Sequence, residues 1–164
     1  MISNPESGAY NLLTNCLDVK ENDSVLLVLE PTDELYDFDV GRVFQECLAN
    51  LGARVTVVTP SLITDPAQFP ATVARSMENC NHTLFLSRVG DYVRFIPLPG
   101  TGSRATGYAL NLEMLEAPYA TIDNLLMREL QLKLEHELMA AEKWQIQCPL
   151  GTCLLYTSPS PRDS

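Results

Sequence analysis

The sequence predicts an α/β fold: a three-layer, Rossmann-like domain with a mostly parallel sheet and helices on both faces. Three observations predict it. Val25 to Leu29 is apolar at every position, as a strand covered on both faces must be. Val43, Phe44, Cys47, Leu48 and Leu51 then repeat at helical spacing before a second strand, Arg54 to Val58, and together these make a βαβ unit. Thr83 to Leu86 supplies a third apolar strand after another helical stretch.

The remaining elements follow in order. Leu12, Leu13, Cys16, Leu17 and Val19 predict a short amphipathic helix over 9–19, ended by the polar turn Lys20-Glu21-Asn22-Asp23. Asp39 falls in the first turn of the next helix, where the macrodipole favours an anion, and Gly52 stands where a C′ glycine closes it. After a loop over 60–66, Asp65 is a candidate cap and Pro66 a first-turn residue for a helix to about Cys80, with Pro70 able to delay its start. Tyr92 to Ile96 reads as a weak strand or extended edge cut off by Pro97 and Pro99. Gly100-Thr101-Gly102 is a turn, and Ala105 to Ala109 reads as a fourth core strand. Thr121 is the expected N-cap of the longest helix, running to about Lys143. On it Leu126, Leu130, Leu134 and Leu138 form one apolar line and Leu125, Leu132 and Met139 a second. One broad buried face against a sheet is the expectation, the alternative being that the second line meets a missing domain or subunit. Trp144 to Cys148 alternates as a final strand.

Composition narrows the class. Apolar residues make up 46% and charged residues 20% of 164, the make-up of one globular domain rather than a disordered chain. A net charge of −10 argues against nucleic acid or an anionic membrane as partner. No window reaches the apolar length of a membrane span, and Met1 to Gly8 lacks the basic and apolar regions of a secretory signal, so a cytoplasmic location is expected. Five cysteines without paired short spacings read as reduced thiols.

No stretch completes an active site, and catalytic, cofactor-binding and metal residues are all expected to be absent. The loop after the first strand, where an α/β sheet presents ligands, carries Glu30, Asp33, Glu34, Asp37 and Asp39 and no glycine. Its carboxylates would repel a pyrophosphate, which argues against a dinucleotide; a hard cation or a small cationic or amine ligand is what such a loop could take. Ser87-Arg88 ends the third strand where a phosphoreceiver domain would need an aspartate. His82 and His136 have no second ligand at helical spacing, which argues against zinc. No Gly-x-Ser-x-Gly occurs.

Two resemblances add to this reading. Cys153 to Asp163 resembles a translated transposase sequencing adaptor; the natural sequence is then expected to stop near Gly151-Thr152, within a longer reading frame, and the tail 153–164 to add no core element. Residues 9–152 resemble the N-terminal part of the thermophilic-type metallo-aminopeptidases (leucyl aminopeptidase-like), relatives of the 2,5-dihydroxypyridine dioxygenases. The residues that carry the likeness are Leu12 to Asp23, Val25 to Leu29, Phe44 to Val57, and Ile146 to Thr152, after which the family usually continues with an aspartate where Cys153 stands.

That resemblance implies a two-domain, commonly homodimeric enzyme using a divalent metal, zinc or cobalt, held by a C-terminal domain absent from this sequence. Residues 1–152 would then be the N-terminal α/β domain of a truncated longer protein. It would wall one side of the cleft and support the dimer, with no cofactor of its own. A stand-alone α/β module binding a small molecule through the acidic loop is the alternative.

Overall fold

The computed structural model describes residues 4–141, 143–148 and 151–156. The chain forms two compact units, Met1–Asp123 and Asn124–Ser164.

The first unit is built on a four-stranded sheet in the order β2-β1-β3-β4, every neighbouring pair parallel. The strands are β1 (Ser24–Leu29), β2 (Arg54–Val58), β3 (His82–Leu86) and β4 (Ser103–Thr106). Alternate residues of β1 serve two cores. Val25 and Leu27, with Leu84 and Leu86 of β3, pack with Ala9 of α1 (Pro5–Asn11), Phe44 and Leu48 of α2 (Phe38–Asn50), and Leu115 of α5 (Leu112–Glu116). Leu26, Val28 and Phe85 face the other way, onto Val73 and Met77 of α3 (Ala71–Met77) and Val89 of α4 (Val89–Tyr92). Helices therefore cover both faces, and the α/β, Rossmann-like expectation holds. The continuous apolar runs of β1 and β3 have their cause here, since neither face of a central strand meets water.

The crossovers explain which helix lies where. A connection between parallel strands is right-handed, so the helix changes face when the chain changes direction. From β1 the chain moves outward through α2 to β2. It then returns through α3 to β3 on the far side of β1, and through α4 to β4 beyond. The strand order reverses between β1 and β3.

Local chemistry sets the element ends, and several differ from the sequence expectation. The first helix starts at Pro5 rather than Ala9, because the Asn4 side chain accepts the Glu6 N–H at 3.0 Å, and it ends in a π-helical turn, Leu12–Cys16. Gly52 closes α2 with φ +73°. Asp65 does act as a cap, accepting the Ala67 N–H at 2.7 Å, but it opens only a 3-10 turn, Pro66–Gln68. Pro70, which offers no N–H, separates that turn from α3.

Tyr92 to Ile96 is not a strand. Val89, Val93 and Ile96 recur at helical spacing and turn toward the second core, while Phe95 is 90% exposed. The fourth strand begins earlier than Ala105: the Ser103 N–H donates to the Asn81 carbonyl at 2.9 Å, and pairing ends where the Gly107 N–H reaches the Phe85 carbonyl. It is an edge strand, only half-buried at best.

Thr121 ends a short helix, α6 (Pro118–Thr121), instead of capping the longest one. The second unit holds that longest helix, α7 (Asn124–Ala140), and an antiparallel hairpin of β5 (Lys143–Cys148) with β6 (Gly151–Tyr156). None of the residues of α7 is buried, so the broad buried face expected there is absent. Its leucines are spread too widely round the wheel to make one stripe. Cys153 to Tyr156 of the adaptor-like run lie in β6; the rest of that run, 157–164, lies outside the described residues.

Candidate functional site

In an open parallel sheet, ligands meet the carboxyl ends of the strands where the order reverses, which here means the ends of β1 and β3. Glu30 follows β1 directly. Its N–H donates to the Leu86 carbonyl at 3.0 Å, continuing the ladder, and the residue is 2% exposed. A buried carboxylate has to be hydrogen-bonded and paired. The Ser87 hydroxyl and the Arg88 N–H each donate to Glu30 Oε2 at 2.9 Å, and Arg88 Nε donates to Oε1. The same bond to Glu30 holds the Arg88 guanidinium above its ordinary range. Arg88 Nη2 also lies 3.8 Å from the exposed Glu34 carboxylate.

The acidic loop is thus divided. Glu30 is an interior strut, and Glu34 approaches the buried Nη2 of Arg88 without a hydrogen bond. Asp39 pairs with Arg42 at 3.0 Å on the surface of α2. Asp33 and Asp37 are exposed. The loop itself is tied down, since the Tyr36 hydroxyl donates to the Gly107 carbonyl at 3.0 Å and the Asp37 N–H to the Leu110 carbonyl at 2.8 Å. Burial first, then the charges of Asp91, Tyr108 and Glu30, push the Tyr36 phenol well above its ordinary value, so it is a neutral donor.

A second polar group stands at the same end of the sheet, beyond β3. The Tyr108 hydroxyl donates to Asp91 of α4, and Arg94 Nη1 donates to the Tyr108 oxygen at 3.5 Å. The bond to Asp91 raises the Tyr108 phenol. Beside this group a half-open cavity of about 250 Å³ lies between α4 and β4.

The histidines serve other ends. His82, at the amino end of β3, bridges Ser103 Oγ (2.6 Å from Nδ1) and Asp23 Oδ2 (3.0 Å from Nε2), which pins β4 and the turn before β1 to it. His136 lies on the exposed surface of α7. Gly100 to Gly102 is a bend at the amino end of β4, far along the chain from any helix start. Cys16, Cys47 and Cys80 are free thiols; burial pushes Cys47 up to about 11 and raises Cys16, which leaves both poor nucleophiles.

The zinc or cobalt implied by the aminopeptidase resemblance needs about three ligands converging on one point. Among the described residues no three His, Cys, Asp or Glu side chains do so. The described donors therefore give no set that fits a catalytic zinc or cobalt.

Glu30, which the sequence offers as a ligand residue, is instead bonded to Ser87 and Arg88, a pair whose sequence position only argues against a phosphoreceiver. The sequence carries a signal for the pairing: Glu30 and Ser87-Arg88 each follow an apolar strand directly, and in a parallel sheet both then fall at the carboxyl edge. Asp91, Arg94, Arg104 and Tyr108 carry no such signal, because their neighbourhood depends on the helical turn at Val89–Tyr92, beside a stretch whose prolines make it look extended.

No protein family model matches the chain, and no curated protein does. Among solved structures, a fatty acid ABC transporter substrate-binding protein from Thermomonospora curvata is similar in fold, with a TM-score of 0.46 and 14% identity. The alignment covers 83% of this chain, which spans 40% of that protein's length. No helix among the described residues is long and apolar enough to cross a membrane.

Proposed function

We propose that this chain is the N-terminal α/β part of an aminopeptidase-like metalloenzyme, walling the active-site cleft while a further C-terminal domain holds the metal. One observation carries the proposal beyond the sequence resemblance. The carboxyl edge of the sheet is built as a fixed surface, with Glu30 committed to Ser87 and Arg88 rather than offered to a ligand. A wall can use such a fixed surface, whereas a metal site would need carboxylates that converge and are left open to the ion. Of the four segments that resemble the family, Leu12 to Asp23, Val25 to Leu29 and Phe44 to Val57 belong to the first unit, with β1, α2 and β2, and Ile146 to Thr152 belongs to the second. The parent would activate water on its metal to hydrolyse an N-terminal peptide bond, or act on an aromatic ring as the dioxygenase relatives do. Homodimerisation of the parent and a cytoplasmic location belong to the same proposal, the latter in keeping with the free thiols of Cys16, Cys47 and Cys80.

The uninterrupted genomic reading frame past Thr152 tests this. A continuation with clustered Glu, His, Tyr and Asp is expected, and a stop codon shortly after Thr152 would overturn it. In that event the second reading stands, a self-contained module for an amine or cationic ligand. The tethering of the loop through Tyr36 and Asp37 favours it, and with Glu30 buried in its pair it would rest on the exposed Asp33, Glu34, Asp37 and Asp39.

A further inference from the structure

The 250 Å³ cavity between α4 and β4 is lined on its floor by Phe85, Val93 and Leu98 and on its rim by Arg94, Arg104 and Tyr108. β4 places Arg104 and Thr106 opposite Thr83 and Phe85, so both point to the face of the sheet that α4 covers. Gly90 lets α4 approach: a Cβ there would come within 2.7 Å of the Phe85 Cβ and 2.8 Å of the Thr106 hydroxyl.

The electrostatics are unlike those of the rest of the chain. A protein with 21 acidic and 11 basic residues lines this cavity with two arginines and no carboxylate. Asp91, which is bonded to a lining residue, accepts from the Tyr108 hydroxyl. Neither arginine pairs with a carboxylate among the described residues: Arg94 donates to Tyr108 and stands 5.5 Å from the centre of the Phe95 ring, and Arg104 has no side-chain partner there. Guanidinium groups at the mouth of an apolar cleft suit a planar anion, which they can grip with paired N–H donors.

We propose that this cavity binds a small monocarboxylate, its carboxylate held by Arg104 and Arg94 and its apolar body resting on Phe85, Val93 and Leu98. The size sets the class. A pocket of about 250 Å³ with Phe85, Val93 and Leu98 among its lining suits one ring or a short alkyl chain. A free acid and the end residue of a peptide present the same carboxylate. The site is separate from the Glu30–Arg88 edge and does not rest on the aminopeptidase proposal.

Amide-resolved NMR titration of the whole chain tests this, with phenylacetate and hexanoate as probes and phenylacetamide and hexanamide as their uncharged counterparts. Saturable shifts at Gly90, Val93 and Thr106 are expected, with the acids at least tenfold tighter than the amides. Arg104→Gln should weaken binding at least fivefold, and the Arg94→Gln/Arg104→Gln pair should remove it. N-acetylphenylalanine separates the sources. Tighter binding than phenylacetate assigns the carboxylate to a peptide end, weaker binding to a free acid, and either supports the site. Absence of saturable binding by every acid, equal affinity for acids and amides, or unchanged binding in the double variant would overturn the proposal. Should that variant fail to fold, the acid-to-amide ratio on the unaltered chain still decides.

Discussion

Glu30 and Arg88, 58 residues apart in sequence, form a salt bridge that ties the carboxyl end of β1 to that of β3. The Glu30 side chain is 1% exposed and that of Arg88 35%, so the two partners are unequal. Arg88 can turn toward water if left alone, and Glu30 cannot.

Glu30→Gln keeps the shape and removes the charge. Breaking a fully buried pair costs about 3–5 kcal/mol, and the exposure of Arg88 reduces that to about 2 kcal/mol here. Arg88→Met should be the more damaging change, because it strands a carboxylate in the interior. Urea unfolding of both variants checks the order, and equal losses would show that Glu30 is relieved by other donors.

Asp23 sets an acid limit. The Lys20 N–H, at 2.8 Å, and then the His82 ring, at 3.0 Å, hold its carboxyl below the ordinary value. A depressed carboxyl contributes stability that is present above its unfolded pKa, about 3.9, and is lost as pH falls through the lower folded value. Asp23→Asn should therefore lower the midpoint of unfolding at pH 6 and flatten its decline below about pH 4. An unchanged acid limb in the variant would contradict this.

Much of the fold was legible because the strands that matter most are buried on both faces. Val25 to Leu29 and Thr83 to Leu86 leave little choice but a central parallel sheet. What was not legible depends on partners far away in sequence. Nothing local distinguishes Tyr92 to Ile96 as a turn until Val89 and Val93 have a core to meet. Glu30 could not be known as a strut without Arg88 beside it. Nor could α7 be foreseen as exposed, because leucines on several sides of a helix count equally for burial and for association.

The second apolar line of α7 leads to a further expectation. Leu125, Leu132 and Met139 are 71%, 52% and 79% exposed. Exposed apolar surface of this kind promotes association. Replacing all three by Gln should lower the apparent mass at high concentration in light scattering and change stability by less than about 0.5 kcal/mol, the usual range for surface positions. Severe unfolding would mean that the three residues are core.

The proposal that the metal belongs to a further domain is tested most directly by calorimetric titration with zinc and cobalt, run beside an aminoacyl-anilide assay. Two proteins are compared, this chain and the same chain extended through its natural reading frame. The chain alone should bind either metal weakly and release no anilide, and the extended protein should bind stoichiometrically and turn over. Tight one-to-one binding by the chain alone, or turnover by it after metal-free purification, would contradict the account and return a metal role to Asp33, Glu34 and Asp37.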